Sequence, residues 1–279
     1  MVAVNQEKKA ILVVSFGTTY PHTLKACIES IEDKVRCEFP GFEVRRAFTS
    51  HFIINKLAKR DNVYIDDTAK ALQRLSDEGF TTIVVQPTHI IAGYEFDEVK
   101  AVVENCRSHF PQIVLGRPVL YFDGSNGTID DYAVAVDALG RQLPAPAPDR
   151  AVALMGHGSS HQANQSYYRL QEKLSQLGLN VFLANFDETP TIEDIMEMLA
   201  ERYIKHVTMM PYMLVAGDHA MKDMAGDGAD TWKTLLEQAG YTTEAYLKGL
   251  GENPAYQEIY IQHIRDALRT MTVDNGKTE

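Results

Sequence analysis

Two histidines stand in the most glycine-marked turns of the second half of the chain. His157 lies in Leu154-Met-Gly-His-Gly-Ser-Ser160 and His219 in Met213-Leu-Val-Ala-Gly-Asp-His219. Each follows a short apolar run with the pattern of a buried strand. Each is therefore expected at the carboxyl end of a parallel sheet, the edge where open α/β folds place their ligands. A neutral imidazole is both a metal ligand and a base near neutral pH. Two of them at one sheet edge point to metal binding or proton transfer. Taken singly, each has a plain explanation. His157 can be an incidental loop residue between two glycines, and Asp218-His219 can simply open a helix. As a pair at two strand ends of one lobe they mark the default ligand cleft.

Carboxylates stand near them in the pattern. Asp187 and Glu188 follow the apolar run Val181 to Phe186 and precede Pro190. They read either as an acidic start to a helix or as the carboxylate of a His/His/carboxylate metal set. Such nitrogen and oxygen ligands suit zinc, cobalt, nickel or iron. Glu95 reads as an ordinary first-turn helix glutamate, favoured there by the helix dipole. His89 ends a strand and can line the cleft or pack, with packing the expectation, while His161 lies close to His157 and can assist it. His22, His51, His109, His206 and His263 read as surface or packing residues. The Met209-Met-Pro-Tyr-Met-Leu214 run is strand core first, and its flexible methionines also suit the wall of a flat apolar ligand. A Walker phosphate loop, a dinucleotide glycine fingerprint and a His-Glu-x-x-His zinc helix are all missing.

The elements that must position these residues alternate. Apolar runs of four to seven residues are separated by amphipathic stretches of ten or more. Strands are expected at 10–16, 42–48, 81–86, 113–116, 151–155, 180–185, 206–210 and 242–246. Helices are expected at 21–36, 51–58, 68–76, 95–108, 129–141, 164–177, 192–203, 232–238 and 254–271. This alternation predicts an α/β fold of parallel sheets with helices on both faces. Leu143-Pro-Ala-Pro-Ala-Pro148 is neither regular helix nor central strand and reads as a linker. It divides the chain into an N-terminal lobe (1–143), a proline-rich linker (144–149) and a C-terminal lobe (150–279). The closing helix 254–271 is free to pack on the first lobe.

The two halves also repeat. Val14-Ser-Phe-Gly-Thr-Thr19 lies over Met155-Gly-His-Gly-Ser-Ser160. Thr88-His-Ile-Ile-Ala-Gly-Tyr-Glu95 lies over Tyr212-Met-Leu-Val-Ala-Gly-Asp-His219. The duplication predicts two similar lobes with a cleft between them. In that register Glu95 takes the place of His219, and Phe16 that of His157.

Bulk properties narrow the function classes. The chain has 279 residues, 45% hydrophobic and 23% charged, which is ordinary for a globular protein. A net charge of -11 argues against a nucleic-acid surface. Three cysteines, Cys27, Cys37 and Cys106, match no metal pattern and no disulfide framework, so a reduced compartment is expected. Residues 1–9 are polar, with no signal-peptide core before the first strand. No apolar run approaches the roughly 20 residues of a spanning helix. The expected setting is the cytoplasm, with no membrane partner.

These segments, in order over nearly the whole chain, resemble the sirohydrochlorin cobaltochelatases of the type II chelatase superfamily, the anaerobic cobalt chelatases of cobalamin biosynthesis. The matching strings are Leu12-Val-Val-Ser-Phe-Gly-Thr-Thr-Tyr20, Arg46-Ala-Phe-Thr-Ser50, His89-Ile-Ile-Ala-Gly-Tyr-Glu95, Met155-Gly-His-Gly-Ser159, Met210-Pro-Tyr-Met-Leu-Val-Ala-Gly-Asp-His-Ala220 and Gly249-Leu-Gly-Glu-Asn-Pro254. The resemblance implies two chelatase-like lobes with a tetrapyrrole in the cleft. It implies ATP-independent insertion of Co2+ into sirohydrochlorin, with His157, His219 and Glu95 as catalytic residues and the histidines also on the metal. The family carries a metal-binding glutamate three residues before a proline. Here that place holds Asp187, with Glu188 as the alternative ligand. The implied partners are the tetrapyrrole and a divalent ion, with no cofactor beyond that ion and with a homo-oligomer left open. A ferrochelatase, a nickel chelatase and a non-catalytic metal or tetrapyrrole carrier fit the same residues.

Overall fold

The computed structural model describes residues 7–275. Among the described residues eight strands form two four-stranded sheets. In the first, β1 (Lys9–Ser15), β2 (Glu43–Phe48), β3 (Thr82–Pro87) and β4 (Gln112–Leu115) pair in the order β2-β1-β3-β4, all parallel. In the second, β5 (Arg150–Gly156), β6 (Val181–Asn185), β7 (His206–Pro211) and β8 (Thr242–Ala245) repeat that order as β6-β5-β7-β8, again parallel. The sequence duplication is thus a duplication of topology.

Burial follows the apolar runs. In β1, Ala10 through Val14 are at most 1% exposed, and β3, β6 and β5 beyond Arg150 are buried throughout. Such continuous apolar strands belong in parallel sheets covered on both faces. Each fully buried Leu, Ile or Val there contributes about 1.5–3 kcal/mol. Of the edge strands, β2 and β8 are polar and partly exposed, which discourages pairing with another chain, whereas β6 is buried.

One compact unit comprises the chain up to Val119 and from Gln257 onward; the other runs from Leu120 to Tyr256. The division therefore falls at 119/120 and 256/257 rather than at the proline-rich 144–149. The reason lies in the helix Asp131–Gly140, which side-chain hydrogen bonds tie to the second unit. Tyr132 donates to Ser166 Oγ at 3.0 Å, Tyr256 donates to the Ala135 carbonyl at 3.0 Å, and Asn253 donates to the Ala138 carbonyl at 2.9 Å. The prolines of 144–148 instead line a cavity of about 300 Å3 with Arg150, Val181 and Thr208, at the amino ends of β5, β6 and β7. The closing helix, Pro254–Asn275, belongs to the first unit from Gln257 onward.

In the first unit, Arg46 on β2 holds the nearly buried Glu32 of the helix Ser30–Glu38 through two bonds of 2.6 and 2.7 Å. A bidentate guanidinium–carboxylate pair fixes orientation as well as contact. The helical stretch expected at 21–36 forms at 21–38, with a π-helical segment at Leu24–Glu29. Among the described residues no helix is long and apolar enough to cross a membrane.

Candidate active site

In the order β6-β5-β7-β8 the chain steps from β5 to β6 on one side and then crosses back to β7 on the other side of β5. The carboxyl ends of β5 and β7 flank that switch point, where such sheets bind ligands. His157 is the residue after β5. His219 follows β7 by a loop that starts with Tyr212, whose N–H donates to the Met155 carbonyl at 2.7 Å.

Local backbone demands explain the glycines. Gly158 has φ +83, and a Cβ there would lie 2.9 Å from both Cβ of Asn185 and the backbone N of Glu188. Only glycine fits this left-handed, crowded turn. Gly17, its counterpart in the first unit, has φ +97. Beyond the strands, Phe186 N–H donates to the Gly156 carbonyl at 3.0 Å and Asp187 N–H to the His157 carbonyl at 2.9 Å. This prolongs the β5–β6 pairing and carries Asp187 alongside His157.

The Gly249-Leu-Gly-Glu-Asn-Pro254 string supports the other histidine. Leu250 and Gly251 N–H groups donate to the Met213 and Leu214 carbonyls at 2.8 and 2.9 Å. A Cβ on Gly249 would stand 2.4 Å from the Leu214 carbonyl oxygen. The string therefore packs backbone against backbone on the loop that leads to His219. His219 itself opens a π-helical segment, His219–Met224, a winding that recurs at functional sites.

The two imidazoles meet edge to face, with ring centroids 5.0 Å apart and planes at 90°. Phe186 lies against His219 at 4.4 Å. His157 Nδ1 stands 3.1 Å from the Gly158 carbonyl oxygen and 3.5 Å from Asp187 Oδ2. His219 Nδ1 stands 2.9 Å from Asp223 Oδ2. Among the described residues no group of three or more His, Cys, Asp or Glu side chains is arranged to hold a metal ion. The structure brings His157, His219 and Asp187 together without closing them into a ligand cage, and Asp187 approaches His157 on its Nδ1 side. Glu188 is half-buried beside Gly158.

Glu95 is exposed in the first turn of the helix Tyr94–Cys106 in the other unit. His89 precedes it. Both of its ring nitrogens are sealed from solvent without a hydrogen-bond partner, although the residue as a whole is only partly buried. Burial pushes its pKa down to about 4 against the opposing pull of Glu95. His161 is tied into its own turn. Its Nδ1 accepts the Ala163 N–H at 3.1 Å and caps the turn Gln162–Asn164. Asp223 and Phe186 were not anticipated from the sequence. The four-residue spacing from His219 to Asp223 was the available signal, since such pairs share a helix face.

Comparison with known proteins decides the family. The profile of the family described as cobalt chelatase (CbiK) matches residues 9–269. The chain belongs to the cobalt chelatase family. Among its relatives, the sirohydrochlorin cobaltochelatase of Salmonella typhimurium is 36% identical over 261 residues, covering 94% of this chain and 97% of that one. The sirohydrochlorin cobaltochelatase CbiKC of Nitratidesulfovibrio vulgaris is 33% identical over 267 residues, covering 95% and 92%. SirB from Bacillus subtilis, solved with Fe3+, superposes with a TM-score of 0.62 at 16% identity over 98% of this chain and 99% of that one. That last likeness is one of fold.

Proposed function

We propose that this chain inserts Co2+ into sirohydrochlorin, without nucleotide hydrolysis, in the anaerobic route to cobalamin. The observation that carries the reading is the His157–His219 pair at the carboxyl ends of β5 and β7 in a member of the cobalt chelatase family. The relatives at 36% and 33% identity, both named sirohydrochlorin cobaltochelatases, supply the substrate.

Insertion exchanges two pyrrole N–H protons for one divalent ion. In this reading His157 and His219 hold the ion, with Asp187 as the carboxylate ligand and Glu188 as its alternative. As the pyrrole nitrogens take over the metal, the two imidazoles lose it one at a time. Each freed nitrogen is then a base at the right place. A histidine or Glu95 accepts each proton, and the sum is two protons released per ion inserted. Positioned proton acceptors of this kind contribute about 10²–10⁴-fold. Holding ion and macrocycle together makes the exchange effectively intramolecular.

The test is a steady-state absorbance assay with sirohydrochlorin and cobalt, iron or nickel supplied separately. Many turnovers are expected, with cobalt giving the highest kcat/KM. Faster iron or nickel insertion overturns the metal assignment, and a signal that stops at one equivalent of protein reveals a carrier.

A further inference from the structure

We propose that Asp223 is a positioning residue that fixes the His219 ring so that Nε2 faces the substrate metal. The inference rests on the reading of His219 as a metal-holding residue.

The hydrogen bond sets the tautomer. Asp223 Oδ2 stands 2.9 Å from His219 Nδ1. An ionised carboxylate only accepts, so Nδ1 carries the proton and donates. The neutral ring then has its lone pair on Nε2. A carboxylate behind a ligating imidazole also makes the free nitrogen a stronger donor.

The backbone holds that carboxylate in place. His219 and Asp223 lie four residues apart in the π-helical segment His219–Met224. Ala220 and Met224, each following one of the pair, are both 0% exposed in the core of the second unit. The turn therefore cannot rotate about its axis without lifting both from the core. The nearer carboxylate in sequence, Asp218, is engaged by Lys222 Nζ at 3.1 Å. The ring is confined on its other sides by Phe186 at 4.4 Å and by His157 at 5.0 Å. His157 shows the same arrangement with a different acceptor, its Nδ1 lying 3.1 Å from the Gly158 carbonyl.

The experiment titrates the full-length protein with Co2+ alone and follows the visible absorption of the bound ion. Chelation kinetics with sirohydrochlorin are measured in parallel. Asp223→Ala is expected to weaken Co2+ binding by about 10–100-fold, as loss of such a partner does elsewhere, and to lower kcat with KM for sirohydrochlorin unchanged. Asp223→Glu, which returns a carboxylate to the ring, is expected to recover part of the loss. Asp227→Ala removes an exposed carboxylate that pairs with Lys233 and is expected to bind Co2+ as the wild type does. Should circular dichroism show Asp223→Ala unfolded, Asp223→Asn decides in its place. His219→Ala separates the two levels of the argument. If it loses Co2+ while Asp223→Ala binds normally, the positioning role is overturned. If His219→Ala itself binds Co2+ normally, the reading of His219 as a ligand falls and this inference with it.

Discussion

The rings of His157 and His219 stand perpendicular with their centroids 5.0 Å apart, although 62 residues and two crossovers separate them along the chain. Parallel pairing makes this possible. β5 and β7 are hydrogen-bonded neighbours, so residues that follow their carboxyl ends emerge on one edge.

Two groups this close should act as a unit. His157→Ala and His219→Ala are each expected to lower the rate of metal insertion by at least about 100-fold, with circular dichroism and Tm close to the wild type. The double variant should fall little further than the worse single one, because groups that share one task are strongly non-additive. Multiplicative losses in the steady-state assay would show two independent roles.

The two acidic residues after β6 can be separated in the same way. Asp187 Oδ2 lies 3.5 Å from His157 Nδ1, whereas Glu188 is placed by its backbone beside Gly158. Asp187→Asn is expected to weaken Co2+ binding by about 10–100-fold, and Glu188→Gln by much less. Isothermal titration with Co2+ checks both. The opposite order would transfer the carboxylate role to Glu188.

Gly249 makes a prediction about support rather than chemistry. Its backbone is in an ordinary extended region, so the obstacle to a side chain is space alone. A methyl group would meet the Leu214 oxygen at 2.4 Å and Val215 Cα at 2.7 Å, both backbone atoms that cannot swing away. Gly249→Ala is expected to cost about 1–3 kcal/mol in urea denaturation. It should also displace the 214–218 loop and lower kcat. A variant with wild-type stability and rate would show that the loop yields freely.

Much of this was legible in the sequence, for definite reasons. Continuous apolar runs such as Ile11-Leu-Val-Val14 have one stable use, a covered parallel strand, and glycines beside His157 announced a turn that no other residue could make. The unit boundary was not legible. A run of prolines reports irregular backbone, not where contacts cease, and the tie of the helix Asp131–Gly140 to Tyr256, Asn253 and Ser166 is long-range. The π-helical turn at His219 was hidden too. Two glycines and two charges around it carry no clear period, and without the turn Asp223 had no visible relation to the histidine.

His89 yields a prediction about pH. Its ring nitrogens are buried without partners, and its pKa is about 4 against 6.5 for a free side chain. Between those values the unfolded chain binds a proton that the native state refuses. Stability therefore rises with pH through this window and falls on acidification from about 6.5 to 4. At 1.36 kcal/mol per pH unit the full effect is about 3 kcal/mol. Replacing the ring by phenylalanine removes the titration and two unpaired polar atoms at once. His89→Phe is expected to match or exceed wild-type stability at pH 7, since deleting a polar group that lacks a partner need not cost anything. Its advantage over the wild type should grow by up to about 3 kcal/mol between pH 7 and pH 4. Urea denaturation of both proteins across that range is the measurement. Parallel pH profiles would mean that the His89 ring takes up its proton as easily in the folded chain as in the unfolded one.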